Sequence, residues 1–120
     1  MRCLSIWSLS NHFQKKVLPS IKSNKKIKIV SILTNKNNHS FNKQKCYTDK
    51  KKIITNTDFD YVYISSVNST HYNYSKFALE NNKNVLCEKP ICLKIDQLYS
   101  LKKIAEKNKK KFFEVIQYTH

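Results

Sequence analysis

The sequence predicts an α/β fold, one domain built on a doubly wound, mostly parallel β-sheet. Three observations carry this. Short runs rich in Val, Ile, Leu, Phe and Tyr alternate with segments of helical apolar spacing. The chain is 120 residues long and 40% apolar, enough for one ordinary core. There are no internal repeats, and no apolar stretch approaches the ~18 residues of a membrane span.

Each element follows in order. Residues 2–8 (RCLSIWS) are short and apolar enough for a strand. Residues 11–22 carry Phe13, Val17, Leu18 and Ile21 at helical spacing, with Asn11 as an N-cap candidate. Pro19 removes a backbone donor and crowds the preceding turn, so a kink or early end is expected. Residues 27–33 read as a strand. Residues 35–52 are polar and basic, and are expected to form a long loop with one short ordered piece near Cys46 and Tyr47. Residues 60–65 (DYVYIS) are a dense β-branched and aromatic run, hence a buried strand. Residues 69–81 are helical and 84–87 a short strand. Residues 94–108 form an amphipathic helix with Ile95, Leu98, Leu101, Ile104 and Ala105 on one face. Residues 111–117 return as a last strand. Right-handed crossovers would wind these into a Rossmann-like sheet. Ligands then belong at the carboxyl ends of the strands, near residues 8–10, 34–36, 65–68 and 88–90.

Composition narrows the function. Net charge is +15, which raises the possibility of a nucleic-acid partner. Lysine supplies 22 of the 23 basic residues, however, and Arg2 is the single arginine. Base-edge recognition favours the planar fork of Arg. Abundant Lys and Asn with no Gly is the usage of an A+T-rich coding sequence, so a nucleic-acid partner is not expected. Four cysteines (Cys3, Cys46, Cys87, Cys92) form no C-x-x-C pair and the four His are scattered, so no metal site is expected. Mostly buried, reduced thiols are expected instead. The first residues lack the long apolar region and small-residue cleavage site of a secretory signal, so the expectation is a cytoplasmic protein without membrane contact. The lack of glycine forces other residues into turns that need positive φ. Asn81 and Asn82 stand where a helix should end.

Residues 60–90 read DYVYISSVNSTHYNYSKFALENNKNVLCEKP. This resembles the pattern D-x-V-x-I-x-T-P-N-x-x-H, a helical stretch, then G-K-H-V-x-x-E-K-P of the Gfo/Idh/MocA oxidoreductases. Matches include Asp60, Val62, Ile64, Asn68, His71, Ala78, Leu79, Lys83, Val85, Glu88, Lys89 and Pro90. Including the opening strand and helix, the resemblance covers nearly the whole chain. It implies that residues 1–120 are an N-terminal nucleotide-binding domain, truncated before the open β-sheet domain with which members end.

The resemblance also implies roles. Lys89 is the catalytic residue, an ammonium between nicotinamide and substrate hydroxyl that stabilises a developing alkoxide. Glu88 orients Lys89 or contacts the nicotinamide ribose. Pro90 corresponds to a cis proline that turns Lys89 into the cleft. Asn68 lies near the cofactor ribose, and His71 is a cofactor-side residue or a structural residue of a helix start. The family's G-x-G-x-x-G/A loop falls on Ser8, Ser10 and Phe13, and Ser8, Ser10 and Asn11 are assigned to the pyrophosphate. The loss of the glycines there, with Phe13 at the third position, predicts weak binding. After the second strand Thr34, Asn35 and Lys36 replace the usual ribose carboxylate. Thr34 and Lys36 therefore favour NADP over NAD. Substrates of sugar or polyol type require completion by the missing domain, so the chain alone is expected to be inactive. The alternatives are a non-catalytic remnant with weak or no dinucleotide binding and, less favoured, a basic nucleic-acid-binding protein.

Overall fold

The computed structural model describes residues 2–8, 13–34, 46–65, 68–88 and 94–115, without the side chains of residues 13, 16, 68, 69, 114 and 115. It contains a six-stranded sheet of order β3-β2-β1-β4-β5-β6. The strands are β1 (Arg2–Trp7), β2 (Ile27–Leu33), β3 (Cys46–Tyr47), β4 (Tyr61–Ile64), β5 (Asn84–Glu88) and β6 (Phe112–Val115). Every pairing is parallel, so the fold is the expected doubly wound sheet with no antiparallel member. β4, the β-branched and aromatic run, is interior between β1 and β5.

Period-two alternation sorts the strand residues onto two faces. Leu4 and Ile6 of β1, Ile32 of β2 and Tyr63 of β4 pack with Leu18 of helix α1 (Leu18–Ser23). Trp7, Leu33, Val62, Ile64, Val85 and Cys87 point to the opposite face. There they meet Ile53 of α2 (Lys50–Asn56), Ala78 and Leu79 of α3 (Asn68–Glu80), and Leu101 and Ala105 of α4 (Ile95–Asn108). Each fully buried aliphatic side chain contributes about 1.5–3 kcal/mol. Among the described residues, no helix is long and apolar enough to cross a membrane.

The pairing of β1 with β2 contains an irregularity. Leu4 lies opposite Ile29, but Ser5 lies opposite Ser31, so Val30 is the extra residue of a bulge. Ser5 and Ser31 thus come face to face, fully buried, with their hydroxyl oxygens 2.7 Å apart. The Trp7 indole N–H donates to Ser5 Oγ at 3.0 Å, and Thr57 Oγ1 donates to Ser31 Oγ at 3.2 Å. A buried hydroxyl costs stability unless it is bonded, and this chain of bonds satisfies both serines.

Three expectations need correction. α2 begins inside the loop expected over residues 35–52 and runs past its end. Its sequence, KKKIITN, is polar, but Asp49 accepts from the Lys51 N–H at 2.8 Å as an N-cap and Ile53 is fully buried as its anchor. The helix expected over residues 11–22 continues through Pro19 to Ser23, so of the kink or early end expected there the early end does not occur. The irregularity lies upstream, in a π-helical turn over Phe13–Val17, as suits a proline with no N–H to return to the preceding turn. In α4 only Leu101 and Ala105 are buried, while Ile95 is 66% exposed and Leu98 is 37% exposed. Apolar period shows which residues share a face, and only the later part of that face is covered. Of the three cysteines described, Cys87 is buried while Cys3 and Cys46 are half-buried.

Left-handed backbone falls on Ser8, Asn82 and Lys109. Asn82, as expected, ends α3, where the Lys83 N–H reaches Ala78 O and the Asn82 N–H reaches Leu79 O. α4 ends in the same paired way through Lys110 to Ala105 and Lys109 to Glu106. A β-carbon in this conformation costs ~1–2 kcal/mol, partly offset because glycine frees the unfolded chain. Lys109→Gly is therefore expected to raise stability by about 0.5–1 kcal/mol. Urea unfolding checks this, and an unchanged or lower midpoint would contradict it.

Candidate functional site

A parallel sheet brings all its carboxyl ends to one edge, and there the chain is closely tied. Ser8 follows β1 with φ 73°. Its N–H donates to Leu33 O at the end of β2, at 2.7 Å. Its carbonyl accepts from Ser65 Oγ, just past β4, at 2.6 Å. Ser65 also donates its N–H to Trp7 O at 3.1 Å. Thr34, at the end of β2, donates its N–H to Tyr47 O of β3 at 2.8 Å. The ends of β1, β2, β3 and β4 are thus joined across the edge.

Glu88 ends β5 and is 9% exposed. The Tyr63 phenol, on the same sheet face two positions nearer the strand start, donates to Glu88 Oε2 at 3.3 Å. Burial, then the neighbouring Glu88 carboxylate and the hydrogen bond to it, hold the Tyr63 phenol above its ordinary range. Tyr63 therefore stays a donor, and Glu88 has a fixed polar partner. Asn68 is the first residue of α3. His71, in the first turn of that helix, is only 1% exposed. Among the described residues, no group of three or more His, Cys, Asp or Glu stands close enough to hold a metal ion.

Of the residues singled out from sequence, Ser8, Thr34, the backbone of Asn68, and Glu88 gather at this edge, with His71 buried beside it. Ser10, Asn11, Lys36, Lys89 and Pro90 lie outside the described residues. Two contributors were not foreseen. Ser65 was recognised only as a strand end, although its hydroxyl holds the Ser8 carbonyl. Tyr63 was read only as a core residue. Alternation places Tyr61, Tyr63, Leu86 and Glu88 on one face, and a buried tyrosine hydroxyl needs an acceptor, so that pair had a readable signal.

A family model described as "Oxidoreductase family, NAD-binding Rossmann fold" (GFO_IDH_MocA) matches residues 9–115. The chain belongs to this family. Among curated proteins, it is 31% identical over 63 residues to trans-1,2-dihydrobenzene-1,2-diol dehydrogenase of Xenopus tropicalis, covering 52% of this chain and 19% of that protein. Among solved structures, myo-inositol 2-dehydrogenase from Lactobacillus plantarum superposes with a TM-score of 0.82 at 18% identity, over 95% of this chain and 36% of that one. Biliverdin reductase from Synechocystis sp. PCC 6803, solved with biliverdin and NADP+, gives a TM-score of 0.78 at 18% identity, over 93% of this chain and 37% of that one. The chain spans about a fifth of that curated relative and little more than a third of those structural neighbours.

The strand order is that of a dinucleotide-binding sheet. Ser8, which the sequence resemblance sets at the first fingerprint position, has left-handed backbone, a conformation that glycine adopts without steric cost.

The Tyr63 shift sets a pH dependence. Folding favours the protonated phenol, so its contribution is whole below pH ~10 and is lost as pH rises through the raised folded value. Tyr63→Phe is expected to remove this component. The wild-type urea midpoint should fall more steeply than that of the variant only above pH ~10. Parallel curves through that range would show that the phenol keeps no proton by folding.

Proposed function

We propose that these residues form the dinucleotide-binding half of an NAD(P)-dependent oxidoreductase acting on sugar- or polyol-type substrates. The observation that carries this is the Ser8 turn, held between the ends of β2 and β4 at the carboxyl edge of the sheet. The alcohol chemistry rests on the relatives, which include a diol dehydrogenase and a myo-inositol dehydrogenase.

In this reading Ser8, Ser10 and Asn11 hold the pyrophosphate. Thr34 and Lys36 face the adenosine ribose, where a basic residue without a carboxylate favours the 2′-phosphate of NADP. Asn68 lies by the second ribose. The burial of His71 favours an anchoring role in the first turn of α3 over direct contact. A bound nicotinamide supplies or accepts the hydride. Lys89 donates a hydrogen bond to the substrate oxygen as negative charge develops there. Glu88, held by Tyr63, orients Lys89 or meets the nicotinamide ribose, and Pro90 sets the direction of the chain past Lys89. Substrate binding and the exclusion of water need surfaces beyond these 120 residues, as the length of the relatives suggests.

A second reading, a non-catalytic remnant with weak or no dinucleotide binding, is favoured by one observation. The left-handed turn at Ser8 carries a β-carbon where the pyrophosphate must approach closely. Titration of the purified chain separates the two. Weak binding is expected, tighter for NADP than for NAD at low salt, with the gap closing as salt screens the lysines. Tighter NAD would overturn the role of Lys36, and no binding of either would favour the remnant. No turnover with sugars or polyols is expected from these residues alone. Reduced cofactor appearing with any polyol would overturn that division of labour.

A further inference from the structure

We infer that Ser65 is a positioning residue for the pyrophosphate-binding turn, its hydroxyl doing for Ser8 what the absence of a side chain does for glycine. This rests on the dinucleotide reading above. Ser8 is left-handed without being glycine, a conformation that costs an L-residue stability and persists only where its surroundings enforce it. The enforcement is visible on both sides of the residue. The N–H is taken by Leu33 O at 2.7 Å, and the carbonyl is taken by Ser65 Oγ at 2.6 Å.

The two bonds differ in kind. The first is a main-chain bond that any residue at position 8 could make. The second comes from a side chain, so it depends on the residue type at position 65. Ser65 is 2% exposed and its own N–H is bonded to Trp7 O at 3.1 Å. Its hydroxyl therefore projects from a backbone fixed in the sheet. Fixing a carbonyl fixes its peptide plane, and the first turn of such a site recognises a pyrophosphate through the orientation of its peptide planes. Without the Ser65 bond, Ser8 has one restraint fewer against relaxing to negative φ.

The test is a double-mutant cycle of Ser65→Ala and Ser8→Gly, with ADP-ribose as the pyrophosphate-bearing probe and adenosine as the probe without phosphate. With Ser8 present, Ser65→Ala should weaken ADP-ribose about fivefold, the worth of one intramolecular hydrogen bond. In the Ser8→Gly background the same change should cost less than about twofold, because glycine holds the turn unaided. Adenosine binding should be the same in all four proteins. Equal losses in both backgrounds, or an equal loss for adenosine, would overturn the inference, since Ser65 would then support only the fold at large. If the wild-type chain binds no ADP-ribose, the dinucleotide reading fails, and the urea midpoints of the four proteins still decide the coupling. Ser65→Ala should lower the midpoint more with Ser8 present than in the Ser8→Gly background, and equal decrements would overturn it.

Discussion

β1 hydrogen-bonds to β2 along one edge and to β4 along the other, so the two halves of the sheet are joined through six residues. Both cores depend on that strand. Leu4 and Ile6 serve the α1 side, and Trp7 serves the side of α2, α3 and α4. The bulge at Leu4 and Ser5 sets the register between the halves and brings the two buried serines together. A one-residue slip would turn apolar side chains to the wrong face and separate those hydroxyls. It would also move Ser8 away from Leu33 O and from Ser65. The geometry of the first turn is therefore a property of the sheet before it is a property of the loop.

Much of this was legible because the strands are short, β-branched and separated by segments of helical period. The interior place of β4 follows from its composition, and the strand ends predicted from pattern are the ones that converge. α2 was hidden because one buried isoleucine and one aspartate cap suffice to fix a short helix, a signal that lysines and asparagines dilute. The exposed start of α4 was hidden because apolar period shows which residues share a face, not how far the partner sheet extends. Within the site, motif spacing supplied Glu88 and Asn68. The bond between Ser8 and Ser65 joins residues 57 positions apart and depends on a hydroxyl direction that no local pattern encodes.

The left-handed residues show two ways of living without glycine. Asn82 and Lys109 end helices, where paired main-chain bonds back into the last turn hold the conformation. Their surroundings are local, and the sequence signals them by position. Ser8 has no helix behind it and takes its support from two other strands. Lys83, one of the family-matching positions, also serves the fold. Its ammonium donates to Phe59 O at 2.8 Å and lies 4.4 Å from the centre of the Phe59 ring, holding the approach to β4 against the end of α3.

Trp7 is the chain's single tryptophan, and it immediately precedes Ser8. Its ring is fully buried, its indole N–H is bonded to Ser5, and Tyr74 and Phe77 of α3 lie 5.7 and 6.0 Å from it, centre to centre. The sequence thus carries one indole fluorophore, placed where the central strand, the first turn and α3 meet. Its emission should be that of a dry, hydrogen-bonded indole and should move to longer wavelength when water reaches it. A change in the first turn is one peptide bond from that reporter, so the light it emits registers both the integrity of the sheet and the state of the loop.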